Sequence, residues 1–167
     1  MAVTGAVPAT DGGGGGPTIR RIRPAADEAL ARSLLAVQHA AYAVEAALIG
    51  DDRIPPLRED LADLRAAPLS WLAAFDGSAL LGAVGWTEDD TLVDIDRLVV
   101  DPAAHRRGVG RALVNAVLAR AGTRRVVVAT GRANRPARRL YESLGFARLG
   151  DEEVIPELWI TRYARPA

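Results

Sequence analysis

The chain has 167 residues, no net charge and no cysteine. That length suits one domain with room for a core, and the lack of cysteine excludes disulfides, thiolate metal sites and cysteine nucleophiles. Two histidines, His39 and His105, are too few for a multi-histidine metal cage, and no run of 18 apolar residues offers a membrane span.

Residues 1–17 are Gly-rich, with Gly12 to Gly16 consecutive, and predict a disordered tail ahead of a domain over 18–167. The first residues have neither the basic start nor the apolar core of a secretion signal, so the cytoplasm is the expected compartment. Thr18 to Arg23 reads as a short strand ended by Pro24. From Ala25 to Ile49, apolar residues at three- and four-residue intervals predict helix, as one element or two because the run is long for one. Gly50 to Pro56 is a loop, and Arg58 to Arg65 a short helix stopped by Pro68. Leu69 to Phe75 and Ala79 to Thr87 form a hairpin across Asp76-Gly77-Ser78.

Residues 91–100 (TLVDIDRLVV) form a further strand, and a loop over 101–107 leads into a helix. In that helix Leu113, Val114, Val117, Leu118 and Ala121 share one face, and Gly122 ends it. Arg125 to Thr130 is an apolar, buried strand. A helix runs from about Pro136 to Leu144, where an early proline is tolerated, followed by strands at Phe146–Leu149 and Leu158–Tyr163. Strand, helix, strand, helix, strand after an antiparallel opening predicts an α/β (α+β) fold, a single mixed sheet flanked by helices.

Zero net charge conceals an asymmetry. All 21 basic residues are arginine, and ten of them lie between Pro102 and Tyr141, a stretch without one acid. The remainder holds 11 arginines against 21 acids. A bipolar molecule follows, with one segment suited to an anion. Arginine's planar fork matches phosphate.

Inside that segment His105-Arg106-Arg107-Gly108-Val109-Gly110-Arg111 lies between a strand and a helix. Helix-start N–H groups lack intrahelical partners and sit at the positive end of the dipole, so a phosphate is stabilised there. Glycines at 108 and 110 permit close approach and the dihedrals of an anion-binding concavity. Two other phosphate loops fail: Leu113 stands where GxGxxG needs glycine, and a Walker loop needs a lysine.

LVVDPAAHRRGVGRALV followed by NRPARRLYESLGF resembles the two adjoining signature motifs of the GNAT N-acetyltransferase superfamily, over roughly residues 91–146. His105 stands where that family usually has Gln or Arg. The resemblance implies acetyl-CoA bound between two splayed parallel strands, 91–100 and 125–130. It implies that the Leu98 N–H polarises the thioester carbonyl and that the Leu98-Val99-Val100 edge meets the pantetheine amides at Val100. Arg106, Arg107, Gly108, Val109, Gly110, Arg111 and Ala112 would hold the pyrophosphate by their amides. Asn134 would touch the pantetheine arm, and Arg138 or Arg139 would reach the 3′-phosphate.

Acetyl transfer to an amine needs a neutral nucleophile, a stabilised oxyanion and a proton for the leaving thiolate. The resemblance makes Tyr141 the acid; as a residue of an amphipathic helix it also reads as core. Asp94 and Asp96 alternate on one strand face with Leu98 and Val100, where carboxylates are costly unless used or paired. Either is a candidate base, the alternative being pairing with a nearby arginine such as Arg97. Acceptor choice would fall to the first helices and late strands, with Tyr42, Glu45, Asp51, Asp52, Glu152, Glu153, Glu157 and Trp159 as candidates.

The expected function is direct transfer of acetyl from acetyl-CoA to a primary amine of a small molecule, amino acid or peptide, with no metal and no covalent enzyme intermediate. A non-catalytic acyl-CoA sensor is the alternative, and the presence of Tyr141 weighs against it. Nucleic acid is not an expected partner, because residues 102–140 carry no aromatic ring besides His105 to stack on a base. A homodimer is compatible with the sequence, but nothing in it demands one.

Overall fold

Two apolar layers organise the chain, one on each face of a seven-stranded sheet. The computed structural model describes residues 15–166. Of the expected Gly-rich tail, residues 1–14 lie outside the described residues. The elements in chain order are β1 (Thr18–Ile22), α1 (Glu28–Ile49), α2 (Leu61–Ala66), β2 (Ser70–Asp76), β3 (Ala79–Glu88), β4 (Leu92–Val100), α3 (Val109–Ala121), β5 (Arg125–Gly131), α4 (Arg135–Ser143), β6 (Ala147–Ile155) and β7 (Leu158–Arg165). The sheet order is β1-β2-β3-β4-β5-β7-β6, antiparallel except for the central pair β4–β5. A parallel pair requires a crossover, and α3 supplies it.

Alternation on β2 sorts the layers. Trp71, Ala73 and Phe75 join Leu34, Val37 and Tyr42 of α1, while Leu72 and Ala74 join Leu113, Val114 and Val117 of α3. Fully burying a side chain such as Leu113 contributes about 1.5–3 kcal/mol. No helix of the described residues is long and apolar enough to cross a membrane.

Two elements differ from the sequence reading. The stretch ending at Ile49 is one helix of 22 residues, capped by the Asp27 side chain and by left-handed Gly50. No glycine or proline interrupts it, and Ala31, Leu34, Val37, Gln38 and Tyr42 keep one face buried as far as Tyr42. β6 is longer than Phe146–Leu149, continuing through the acidic Asp151-Glu152-Glu153. Pairing overrides the low strand propensity of acids there: Glu152 reaches diagonally across to Arg162 of β7 in an ion pair, and Asp151 accepts a 2.8 Å bond from the hydroxyl of Thr161 opposite it.

Candidate active site

β4 and β5 pair over only four positions, from Leu92–Arg125 to Ile95–Val128. Beyond them the strands part, while β5 stays bonded to β7 as far as Gly131. A β-bulge helps open the gap: Gly85 of β3 lies opposite Arg97, and the next residue, Trp86, opposite Ile95. The extra residue is Asp96, and it reverses the alternation of β4. Val93 and Ile95 pack on the α3 layer before the bulge, and Leu98 and Val100 pack there after it. Asp94 therefore does not share a face with Leu98 and Val100, as strict alternation predicts.

The parted strands bound a cavity of about 250 Å³. Ile95, Asp96, Arg97 and Leu98 line one side, Val128 to Gly131 the other, and Tyr42, Glu45, Asn134 and Tyr141 reach it from the helices. The gap lets groups from both faces of the sheet meet. Tyr141, only 3% exposed, packs its ring edge against Phe146 at 5.7 Å, and its hydroxyl has no hydrogen-bond partner among the described residues. Burial, then the nearby Glu45 charge, pushes the phenol well above its usual range, so it holds its proton. Tyr141 belongs to the buried core and also lines the cavity.

Glu45 is the carboxylate that sequence reasoning named for the acceptor region without a role. Its Oε1 accepts from the Thr130 hydroxyl and the Gly131 N–H, both at 3.2 Å. Gly131 permits this contact, because a Cβ there would stand 2.7 Å from Ile49 Cγ2. Asn134 caps α4 by accepting from the Ala137 N–H at 3.2 Å. Asp96 lines the cavity; Asp94 does not. Burial, then repulsion from Asp96, raises the Asp94 carboxyl against the opposing charge of Arg162.

A buried polar cluster braces this side. Arg97 is 8% exposed and donates to Asp96 (2.7 Å), Glu59 (2.7 Å) and Gln38 (3.2 Å). Burial opposes its charge, and the bonds to Glu59 and Asp96 outweigh that, holding the guanidinium above its usual range. Gln38 donates in turn to Glu59 and to the Pro56 carbonyl, each at 2.9 Å. Neither Glu59 nor Gln38 stands out in the sequence. The one available signal was Gln38 on the apolar face of α1, four residues after Leu34 and four before Tyr42.

The glycine loop lies at the head of α3. Among the described residues, the N–H groups of Arg106 to Arg111 donate to no acceptor within the chain, whereas the Ala112 N–H bonds to the Gly108 carbonyl at 3.0 Å. Of the predicted set, Ala112 is therefore the one whose amide is already bonded within the helix. Arg106 (φ 63) and Gly108 (φ 74) adopt the left-handed conformation, and Gly110 does not. A Cβ at Gly110 would stand 3.4 Å from Leu140, 3.7 Å from Val100 and 3.8 Å from Leu98, which sets the head of α3 beside the parting end of β4.

The surrounding arginines divide. Arg107 pairs with Asp76 at 2.9 Å and Arg111 bonds the Ser143 hydroxyl at 2.7 Å. Arg138 is turned inward, its Nε on the Tyr163 hydroxyl at 3.0 Å and an Nη on the Arg132 carbonyl at 2.9 Å. Of the two arginines weighed for a phosphate, Arg139 is therefore the exposed one without an ion pair among the described residues. No group of three metal-ligating side chains occurs among the described residues.

A mixed sheet parted at its parallel pair, with unbonded amides heading the crossover helix, is the fold of the GNAT acetyltransferases. The model superposes on PaiA N-acetyltransferase of Thermoplasma acidophilum, solved in complex with coenzyme A (TM-score 0.68, 17% identical, 88% of this chain and 98% of that one). The chain belongs to the acetyltransferase (GNAT) family, whose family model matches residues 35–146. It is 35% identical over 120 residues to UPF0157 protein YqkA of Bacillus subtilis, covering 71% of this chain and 35% of that protein. It is 33% identical over 107 residues to N-acetylaspartate synthetase of Danio rerio, covering 58% and 38%. The chain thus spans little more than a third of the length of these curated relatives.

Proposed function

We propose that the protein moves an acetyl group from acetyl-CoA directly to a primary amine. The observation that carries this reading is the parted β4–β5 pair, with the unpartnered Tyr141 phenol facing the gap beside six unbonded amides. The coenzyme A complex of the Thermoplasma neighbour supports the choice of donor. Arg106 to Arg111 would hold the pyrophosphate through their backbone, with the helix dipole adding to the attraction. The free edge at Leu98, Val99 and Val100 would pair with the pantetheine amides, the Leu98 N–H would face the thioester oxygen, and Asn134 would meet the arm from α4. Arg139 is the better placed of the two arginines for the 3′-phosphate.

Acetyl-CoA supplies an activated carbonyl. A neutral amine attacks that carbon, the C–N bond forms and the C–S bond breaks. Tyr141 gives its proton to the departing thiolate. The proton lost by the new amide passes to Asp96 or to water; Asp96 is favoured over Asp94 because it lines the cavity.

Calorimetric titration of acetyl-CoA into the wild type and Gly108→Trp tests the reading. Binding that is lost in the variant, followed by thiol release in the presence of amines, supports it. No binding to the wild type at millimolar ligand would exclude acetyl-CoA as the donor.

A further inference from the structure

The cavity between β4 and β5 has a polarity that selects among amines, given the acetyl-transfer reading above. Two carboxylates line it, Glu45 and Asp96. Among the described residues of the lining, Arg97 is the sole cation, and Asp96 and Glu59 already hold it. Both bonds to Glu45 fall on Oε1, so Oε2 has no partner among the described residues. Tyr42 and Tyr141, 8% and 3% exposed, present hydroxyls with no partner among the described residues to the same space. Polar atoms that line a cavity without a partner in the chain are open to a bond from a polar ligand. Aliphatic side chains make up much of the rest of the lining, among them Ile49, Ile54, Val154, Leu158 and Ile160.

We propose that this cavity takes an apolar primary amine bearing no carboxylate, with the Glu45 carboxylate as the group that holds its ammonium. A charge-assisted bond from the ammonium to Oε2 satisfies the idle oxygen, and the aliphatic lining receives the body of the molecule. A free amino acid carries a carboxylate one carbon away from its ammonium. That second charge faces Glu45 and Asp96 with no uncommitted cation to meet it, and like charges at such range in a partly buried site weaken binding. The site therefore selects against free amino acids on charge, while a neutral amide in the same place is accepted.

The test uses three molecules of one shape, 3-methylbutylamine, leucinamide and leucine, titrated calorimetrically into the protein with and without saturating coenzyme A. The amine and the amide are expected to bind at least about tenfold more tightly than leucine. Glu45→Gln retains the acceptor for Thr130 and Gly131. It should weaken the amine about tenfold, bring the amine-to-leucine ratio within about threefold, and leave coenzyme A affinity within about twofold. Leucine binding as tightly as the amine, an unchanged ratio in Glu45→Gln, or no amine binding in either state overturns the inference. Failure of coenzyme A to bind overturns the acetyl-transfer reading instead, and the titration without it still reports on the cavity.

Discussion

Arg97→Leu removes the centre of the cluster that braces the cavity, and its cost follows from what remains. Asp96 is 44% exposed and regains water, so losing that pair costs little. Glu59 is only 20% exposed, and fully buried Gln38 loses its Oε1 donor. Breaking a buried pair from one side costs about 3–5 kcal/mol, because the other charge is stranded. Glu59 keeps the Gln38 bond and some solvent contact, which places the loss near the lower end, at about 3 kcal/mol. For a chain of this size that lowers Tm by about 6–12 °C, measured by calorimetry or circular dichroism. Arg97→Leu/Glu59→Leu strands no carboxylate and should recover at least half of the loss. A single-variant penalty under about 1 kcal/mol, or a double variant no better than the single, would refute the reasoning.

Tyr141→Phe should lower kcat about 100-fold or more while acetyl-CoA KM stays within about twofold; since the hydroxyl bonds nothing among the described residues, Tm should hold, and an unchanged kcat would remove Tyr141 as the acid. Gly82→Ala places a Cβ 2.6 Å from the Val99 carbonyl oxygen and 3.1 Å from Val100 Cα. Backbone must yield, so a cost of about 1–3 kcal/mol and weaker acetyl-CoA binding are expected, and an unshifted melting curve would contradict the close approach. For Asp94, burial and then Asp96 raise the folded pKa above the unfolded value, so ionisation opposes folding, and the penalty grows as pH rises from the unfolded pKa through the folded one. Asp94→Asn should therefore raise Tm at about pH 7 and leave it unchanged at about pH 3, below the unfolded aspartate pKa of about 3.9; a gain of equal size at both would discount the titration.

Much of this molecule follows from local rules acting on neighbouring residues. Period and caps place α3 and α4, with Gly108 and Asn134 at their starts, and the amides heading α3 are free because any helix start leaves them so. Where local rules fell short, a partner distant in sequence decided. β6 continues through three consecutive acids because β7 offers Thr161 opposite Asp151 and Arg162 diagonally to Glu152. Arg138 and Arg139 are adjacent and alike in sequence, yet Tyr163, 25 residues on, draws the first inward and leaves the second in solvent.

The sequence by itself determined the alternation of strands and helices and the family motif with the glycine loop that heads α3, and it left Tyr141 readable both as core and as an acid. Tertiary structure alone decided which carboxylates meet it. The bulge at Asp96 reverses the facing of β4, the parting of β4 from β5 opens the sheet, and through that opening Glu45 comes from the opposite layer to within electrostatic reach of Tyr141. Side-chain periodicity is a property of one strand, whereas a bulge and a split belong to a strand and its neighbours together, so no reading of β4 alone contains them.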